Sequence, residues 1–555
     1  MIVSRRRIGP GRVETRCCTG ARAALLFMLV AGCSSEAAPG MPAGSMSNPG
    51  GNAAVGGAGV EPPAPGGGGT APTSAAGSRS GEAVPGDIPV VGAGGTAPVA
   101  EPLDGNELVS DVIVSLHPDV NTLLVVTWNQ VQAAEQTWLE FSFEDGDVLR
   151  SRAKPGAVGE HRDVVIGVPG ETDVTVRVVS EVSGAEYPTR DYSGRTEAVP
   201  SGPNGMPVPT IVSYDASLAS PDRWLFGSVE NSTGGGDFDY YRATFWLYIM
   251  DRQGRVVWYY AEPASNATYS FQRIARDGDY LWFEKRCFGC GNYAESVVKM
   301  TLDRAYFEEI PVPGLSDAID VTDDGSLLYD AQNELREMDR DGNVRTIWSC
   351  RQEFGQGFAC YSNTINWDPA RNTVMMSFPE PALVVEIDRA SGELVGQYGT
   401  APGSFAFASP LSTPPAQWNF GFQHFPNLTA EGTLMVSSHM PGFEETDNPV
   451  ANQHAFLEFS IDRERRVLTE KWRYTLGPEW PHAKGMAIRL PNGNTLANYG
   501  TGGTIREITS DLQTAWHVKF DTPGANDFYN KMVGNNVLID DLYRLNGGGP
   551  APAQP

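Results

Sequence analysis

The sequence predicts an all-β protein: a six-bladed β-propeller preceded by a β-sandwich. Two patterns carry that expectation. From residue 206 onward a two-strand unit with an Asp/Asn-and-Gly turn recurs along the chain, with no strong helical periodicity between copies. Ahead of it, residues 105–205 break into short runs of alternating apolar and polar residues divided by turn residues, the signature of a sandwich of about 100 residues.

Residues 1–33 read as an export address. Arg5, Arg6, Arg7, Arg12, Arg16 and Arg22 form a basic region, and Ala23 to Ala31 an apolar one. That stretch is shorter than the roughly 20 residues a membrane-spanning helix needs, and it fits a signal peptide. Arg5-Arg6 is a weak match to a twin-Arg signal. Val30-Ala31-Gly32-Cys33 resembles the lipobox of bacterial lipoproteins. The resemblance implies that Cys33 is acylated and becomes the first residue of the mature chain. No Asp follows Cys33, which points to the outer rather than the inner membrane. The expected location is therefore the cell envelope, lipid-anchored, periplasmic or surface-exposed, with membrane contact through the lipid alone. Residues 34–104 are Gly, Ala, Pro and Ser with few large apolar side chains, and they read as a disordered tether.

Composition narrows the partners. The formal charge is −26, and the first 32 residues are basic, so the rest of the chain is more acidic still. Nucleic acid needs clustered Lys and Arg and is excluded as a partner. No cofactor and no metal are expected. Of the 7 Cys, Cys17 and Cys18 leave with the signal. Cys287, Cys290, Cys350 and Cys360 remain in an oxidising compartment, where disulfides are expected. All three pairings are open, and the local ones, Cys287 with Cys290 and Cys350 with Cys360, are favoured. The Cys287-Phe-Gly-Cys290 spacing also suits a redox or zinc pair, but no thioredoxin-like pattern and no second ligand pair accompany it.

The sandwich spans residues 105–205, with runs at Val112 to Val114, Leu123 to Trp128, Trp138 to Phe143, Val164 to Ile166 and Val174 to Val179. The run ending in Trp128 resembles the core-Trp strand of fibronectin type III domains, which implies a fibronectin III/Ig-like sandwich. The propeller spans residues 206–548. One half-unit is a pair of apolar strands around an Asp/Asn–Gly turn, as at Asp277-Gly278, Asp324-Gly325, Glu431-Gly432 and Asn492-Gly493. The other is an alternating strand, an Asp turn and a strand that often ends in an aromatic, as at Leu335–Trp348 and Phe456–Tyr474. Pairing the halves gives six units, the first built from Thr210–Gly227 plus Phe245–Tyr260. Residues 525–545 either close the ring or add a strand, which leaves seven blades open.

In a propeller the entry ends of the innermost strands ring one mouth of the channel, so chemistry is expected just before each first half-unit. Counting back eight positions from the turn Gly gives Ser270, Asp317, His424 and Gly485, with Arg273, Tyr361, Asn363, Gln423, His482 and Lys484 close by.

The run Leu490-Pro-Asn-Gly-Asn-Thr-Leu496, then Gly503-Thr-Ile-Arg-Glu-Ile508, resembles the last blade of bacterial PAPS-independent arylsulfotransferases. Gln423-His424 resembles that family's Gln-His blade, and Tyr361-Ser362-Asn363 ahead of Trp367-Asp368-Pro369 resembles its His-x-Asn blade. The resemblance covers about residues 206–520. It implies a six-bladed periplasmic enzyme that moves a sulfuryl group from an aryl sulfate to a phenol through a sulfohistidine, with His424 as the nucleophile. Asn363, Tyr361, Asp317, Gln423, Lys484, His482 and Arg273 would bind the substrate. The chain departs from the family where a His-Asp pair reads Asp317-Ala318, where the His of His-x-Asn reads Tyr361, and where an Arg falls near Pro379. Two functions stay open on these residues: an aryl-sulfate sulfotransferase acting on small molecules, and a catalytically degenerate propeller that binds a ligand or protein at the cell envelope.

Overall fold

A computed structural model describes residues 104–144, 146–202, 204–231, 244–262, 268–271, 273–288, 296–331, 333–408, 420–439, 454–475, 484–520 and 532–546. The address, Cys33, the tether, Cys290 and His482 lie outside them, as does the side chain of Cys287. Among the described residues no helix is long and apolar enough to cross a membrane.

The sandwich forms as expected. One sheet holds Val109–Leu116, Leu124–Gln130 and Gly159–Val165. The other is built on Ala134–Phe143 and Asp173–Val182 with four short strands at their edges. Trp128, Leu139, Phe141, Val165, Val176 and Val178 fill the space between them. The sandwich is bolted to the propeller. Arg162 pairs with Asp303 at 2.9 Å, and His117 Nε2 meets the Asp303 carbonyl at 3.0 Å. The Tyr543 hydroxyl donates to the Val164 carbonyl and accepts from the Ile166 amide, both at 3.0 Å.

Six blades follow. In the first, Val533–Ile539 is innermost, then Trp224–Glu230, Phe245–Asp251 and Val256–Tyr260. In the second, the short segments Thr268–Ser270 and Ile274–Arg276 both pair with Leu281–Phe288, followed by Ser296–Met300 and Phe307–Pro311. The third runs Ile319–Val321, Leu327–Ala331, Glu334–Met338 and Val344–Ser349. The fourth runs Thr364–Asp368, Thr373–Phe378, Leu383–Asp388 and Leu394–Gly399. The fifth runs Gly421–Leu428, Leu434–His439, His454–Asp462 and Val467–Thr475. The sixth runs Met486–Arg489, Thr495–Asn498, Thr504–Ile508 and Thr514–Lys519.

The sequence-based make-up of the first unit is corrected here. Thr210–Tyr214 does not join Trp224–Glu230. It pairs antiparallel with Thr514–Lys519 on the outer edge of the sixth blade, and Val533–Ile539 takes the inner place in the first. The two ends of the propeller segment thus close the ring, one at its rim and one at its axis, and the described residues form six blades.

A repeated dipeptide explains how blades grip each other. Asp251-Arg252, Asp303-Arg304, Asp339-Arg340, Asp388-Arg389 and Asp462-Arg463 each follow a third strand. The Asp closes the turn by accepting backbone N–H groups, as Asp388 does from Ser391 and Asp462 from Arg465. In three blades the Arg reaches back to a buried Glu on the third strand of the preceding blade: Arg389 to Glu337, Arg463 to Glu386 at 2.8 and 3.0 Å, and Arg252 to Glu507 at 3.0 Å. A buried carboxylate left alone would cost several kcal/mol, so at these three junctions one blade stabilises the next. The outer aromatics act in the same sense. Trp258 donates to the Leu302 carbonyl of the next blade and Trp516 to the Arg252 carbonyl, at 2.8 and 2.9 Å. Nearer the axis, Asn366 donates to the Pro426 carbonyl and Asn427 to the Ala487 carbonyl, linking successive inner strands.

Candidate functional site

His424 sits on an inner strand interrupted on both sides. The register of Gly421–Leu428 against Leu434–His439 slips between Gly421 and His424, and again between His424 and Asn427. Phe422 and Phe425, which flank Gln423-His424, have φ of 46° and 51°. Bulky residues pay for that conformation, and double bulges re-aim a side chain, so the surrounding fold holds this dipeptide in place. Gln423 supplies much of the hold. Its buried amide Nε2 donates to the carbonyls of Phe378 and Leu383 at 3.0 and 3.1 Å, which makes it an anchor on the fourth blade.

Asn363 sets the imidazole. Its Nδ2 donates to the Gln423 carbonyl at 2.9 Å and lies 2.7 Å from His424 Nδ1. A carbonyl can only accept, so the amide orientation is fixed, and its second hydrogen points at Nδ1. The ring proton therefore belongs on Nε2. Burial first, then the charges of Arg273 and Lys484, hold the His424 pKa well below its ordinary value. The ring is neutral at pH 7.

Arg273 ties the mouth together. Its Nε donates to the Asp317 carbonyl at 2.7 Å, one terminal nitrogen to the Asn363 carbonyl at 2.6 Å and the other to Asn535 Oδ1 at 3.3 Å. One guanidinium thus spans the inner ends of four blades. Three of its five N–H groups are engaged in this way, which fixes the guanidinium in place.

Around Arg273 lies a charged cluster. Arg286 pairs with Asp317 at 2.9 Å and approaches Glu284 at 3.7 Å. Asp330 is fully buried and accepts the amides of Asp317 and Ala318 at 2.7 and 2.6 Å, plus the Ser362 hydroxyl. Burial, then the Asp317 charge, pushes the Asp330 carboxyl up to about 7. Burial likewise pushes Glu284 up. Lys484 is pushed down to about 7 by burial and then by Arg273. Lys484 has φ 68°, and Gly485 after it has φ 113°. A Cβ on Gly485 would stand 2.5 Å from Ser437 Oγ, so only glycine fits there.

The structure brings His424, Asn363, Arg273, Asp317 and Lys484 to one mouth. Tyr361 stands nearby but exposed, next to the disulfide joining Cys350 and Cys360. Sequence reasoning passed over Glu284, Asp330 and Ser362, and also His439 and His454. His454 Nε2 meets Ser437 Oγ at 2.9 Å, and its ring lies 5.4 Å from that of His439. All but Ser362 and His454 sit on second strands, whose far ends return to the same mouth. An ionisable residue downstream of the apolar run that opens a second strand was the signal that could have found Glu284, Asp330 and His439.

No known family profile matches the chain, and no curated protein sequence does. Solved structures resemble it only distantly. A protein of unknown function from Bacteroides caccae is 13% identical with TM-score 0.35, over 56% of this chain and 99% of that one. Virginiamycin B lyase from Staphylococcus aureus is 12% identical with TM-score 0.28, over 44% and 69%. An auxiliary nutrient binding protein from Bacteroides thetaiotaomicron is 10% identical with TM-score 0.31, over 74% and 86%. At these scores none of them bears on function.

Proposed function

We propose that the mouth around His424 is the centre of an arylsulfotransferase-like protein, which takes a sulfuryl group from an aryl sulfate and passes it to a phenol. The observation that carries this is a neutral imidazole, fixed by Asn363 on strained backbone and flanked by Arg273 and Lys484. A neutral imidazole is a nucleophile at pH 7, and a covalent intermediate divides one difficult transfer into two easier ones. His424 Nε2 would attack sulfur as the S–O bond to the aryl group breaks. A second phenol would then attack the sulfuryl group, and the S–N electron pair would return to Nε2. Lys484 would face the charge on the sulfuryl oxygens. Attack from Nε2 needs the ring proton on Nδ1, so the Asn363 amide must turn its oxygen to the ring during the cycle. In the same reading a lipid on Cys33 holds the chain at the envelope.

A second reading draws support from the resting hydrogen bond itself. With Nδ1 accepting from Asn363, Nε2–H is left as a donor that an oxyanion could accept from. Arg273 is committed on all three nitrogens to holding the blades together, and Tyr361 stands where the family has a His. The site would then bind an anionic ligand without breaking it.

The test is release of 4-nitrophenol from 4-nitrophenyl sulfate with added phenol, using the full chain and His424→Ala. Turnover by the parent and none by the variant supports transfer. Binding of the ester by the parent alone, with no turnover, supports the second reading. No turnover and no binding sinks both.

A further inference from the structure

Asp317 is the carboxylate that this mouth leaves open. Its backbone is held from two sides: Arg273 donates to its carbonyl, and its amide donates to Asp330. Oδ1 takes the Arg286 guanidinium at 2.9 Å, yet 33% of the side chain stays exposed. Glu284 and Asp330, the other two acids of the cluster, are 2% and 0% exposed. Arg273 also binds the Asn363 carbonyl, and Asn363 holds His424. The Asp317 backbone is thus linked to the His424 ring through the Arg273 guanidinium and the whole of Asn363, which puts both residues at the same mouth. Arg286 offsets the Asp317 charge, so an anionic ester can approach.

Building on the transfer reading, we propose that Asp317 is its second catalytic residue, the base for the acceptor hydroxyl. In the second half-reaction the acceptor oxygen forms its bond to sulfur as the S–N bond breaks. The electron pair returns to His424 Nε2, and the hydroxyl proton passes to Asp317. In the next first half-reaction Asp317 gives that proton to the departing aryloxide, so one proton moves from acceptor to leaving group per cycle. The substrate class follows: the acceptor presents a neutral hydroxyl that needs a base. Phenols that are already ionised gain nothing from Asp317.

The test separates the half-reactions with the full chain. The donor burst of 4-nitrophenol is followed without acceptor, then transfer to phenols of graded acidity, in the parent, Asp317→Asn and Asp317→Glu. The expected result is a burst slowed far less than transfer in Asp317→Asn, because 4-nitrophenolate is acidic enough to depart without the Asp317 proton. Transfer to unsubstituted phenol falls about 100-fold or more, and the loss shrinks as the acceptor becomes more acidic. Asp317→Glu recovers part of the loss. A loss equal for every phenol marks a merely structural role and overturns the proposal, as does unchanged transfer. Absence of a burst in the parent overturns the transfer reading and this proposal with it.

Discussion

Asn363 Nδ2 lies 2.7 Å from Nδ1 of His424, and the same amide nitrogen donates to the Gln423 carbonyl. The amide thereby chooses the tautomer of the ring. Nitrogen-15 NMR of histidine-labelled protein is expected to show His424 as the neutral Nε2–H form at pH 7, with protonation only well below 6.5. A titration centred near 6.5, or a dominant Nδ1–H signal, contradicts the assignment. Asn363→Ala also leaves the Gln423 carbonyl without that donor and should lower stability by about 1–3 kcal/mol in denaturant unfolding.

Lys484 gives a prediction with the opposite sign. Its folded pKa of about 7 lies below the ordinary 10.5. Between those values the unfolded chain holds a proton that the folded chain lacks, so Lys484 makes stability rise with pH from 7 towards 10. Lys484→Met removes a cation from a crowded positive site. It is expected to melt above the parent at pH 7, with the difference shrinking as pH rises and ester binding lost. A variant that melts lower at pH 7 would show that Lys484 is a structural cation.

The Glu386 carboxylate is 0% exposed and meets Arg463, Tyr398 and Thr373. Arg463→Ala leaves that carboxylate without its cation. Because Arg463 is itself 39% exposed, water replaces part of the loss, and about 2 kcal/mol is expected. The pair Glu386→Gln with Arg463→Met should be less harmful than Arg463→Ala alone. Equal midpoints for the parent and Arg463→Ala would remove the latch from the stability argument.

The disulfide closes a separation of 10 residues, and Cys360 stands just ahead of Tyr361, Ser362 and Asn363. Cys350→Ser with Cys360→Ser is expected to cost about 2–3 kcal/mol. The sharper outcome is local: looser Asn363 weakens ester binding at temperatures where the fold stays intact. Binding equal to the parent's would detach the loop from the site.

Much of this was legible in the sequence because it is local. Turn residues and alternation marked the strands, and counting from the turn Gly placed Asp317 and His424 at one end of the ring. Partner choice was not legible. Thr210–Tyr214 reads as a strand, but nothing in its five residues says that it pairs with Thr514–Lys519 rather than its neighbour in sequence. The site shows the same division. Gln423 and Arg273 are polar residues at the right register, yet only their three-dimensional surroundings make one an anchor and the other a strut.

Trp224 lies opposite Ile539, and Thr210 opposite Lys519. Pairs so far apart in the chain carry a large loop-closure entropy and slow the final folding step. During synthesis the middle blades can fold as they emerge, but the first blade stays one strand short until the last residues are released. A chain cut before Val533 would therefore keep its closure at the rim but leave the Trp224–Glu230 edge unpaired at the axis, which makes it prone to aggregation or proteolysis rather than a smaller version of the protein.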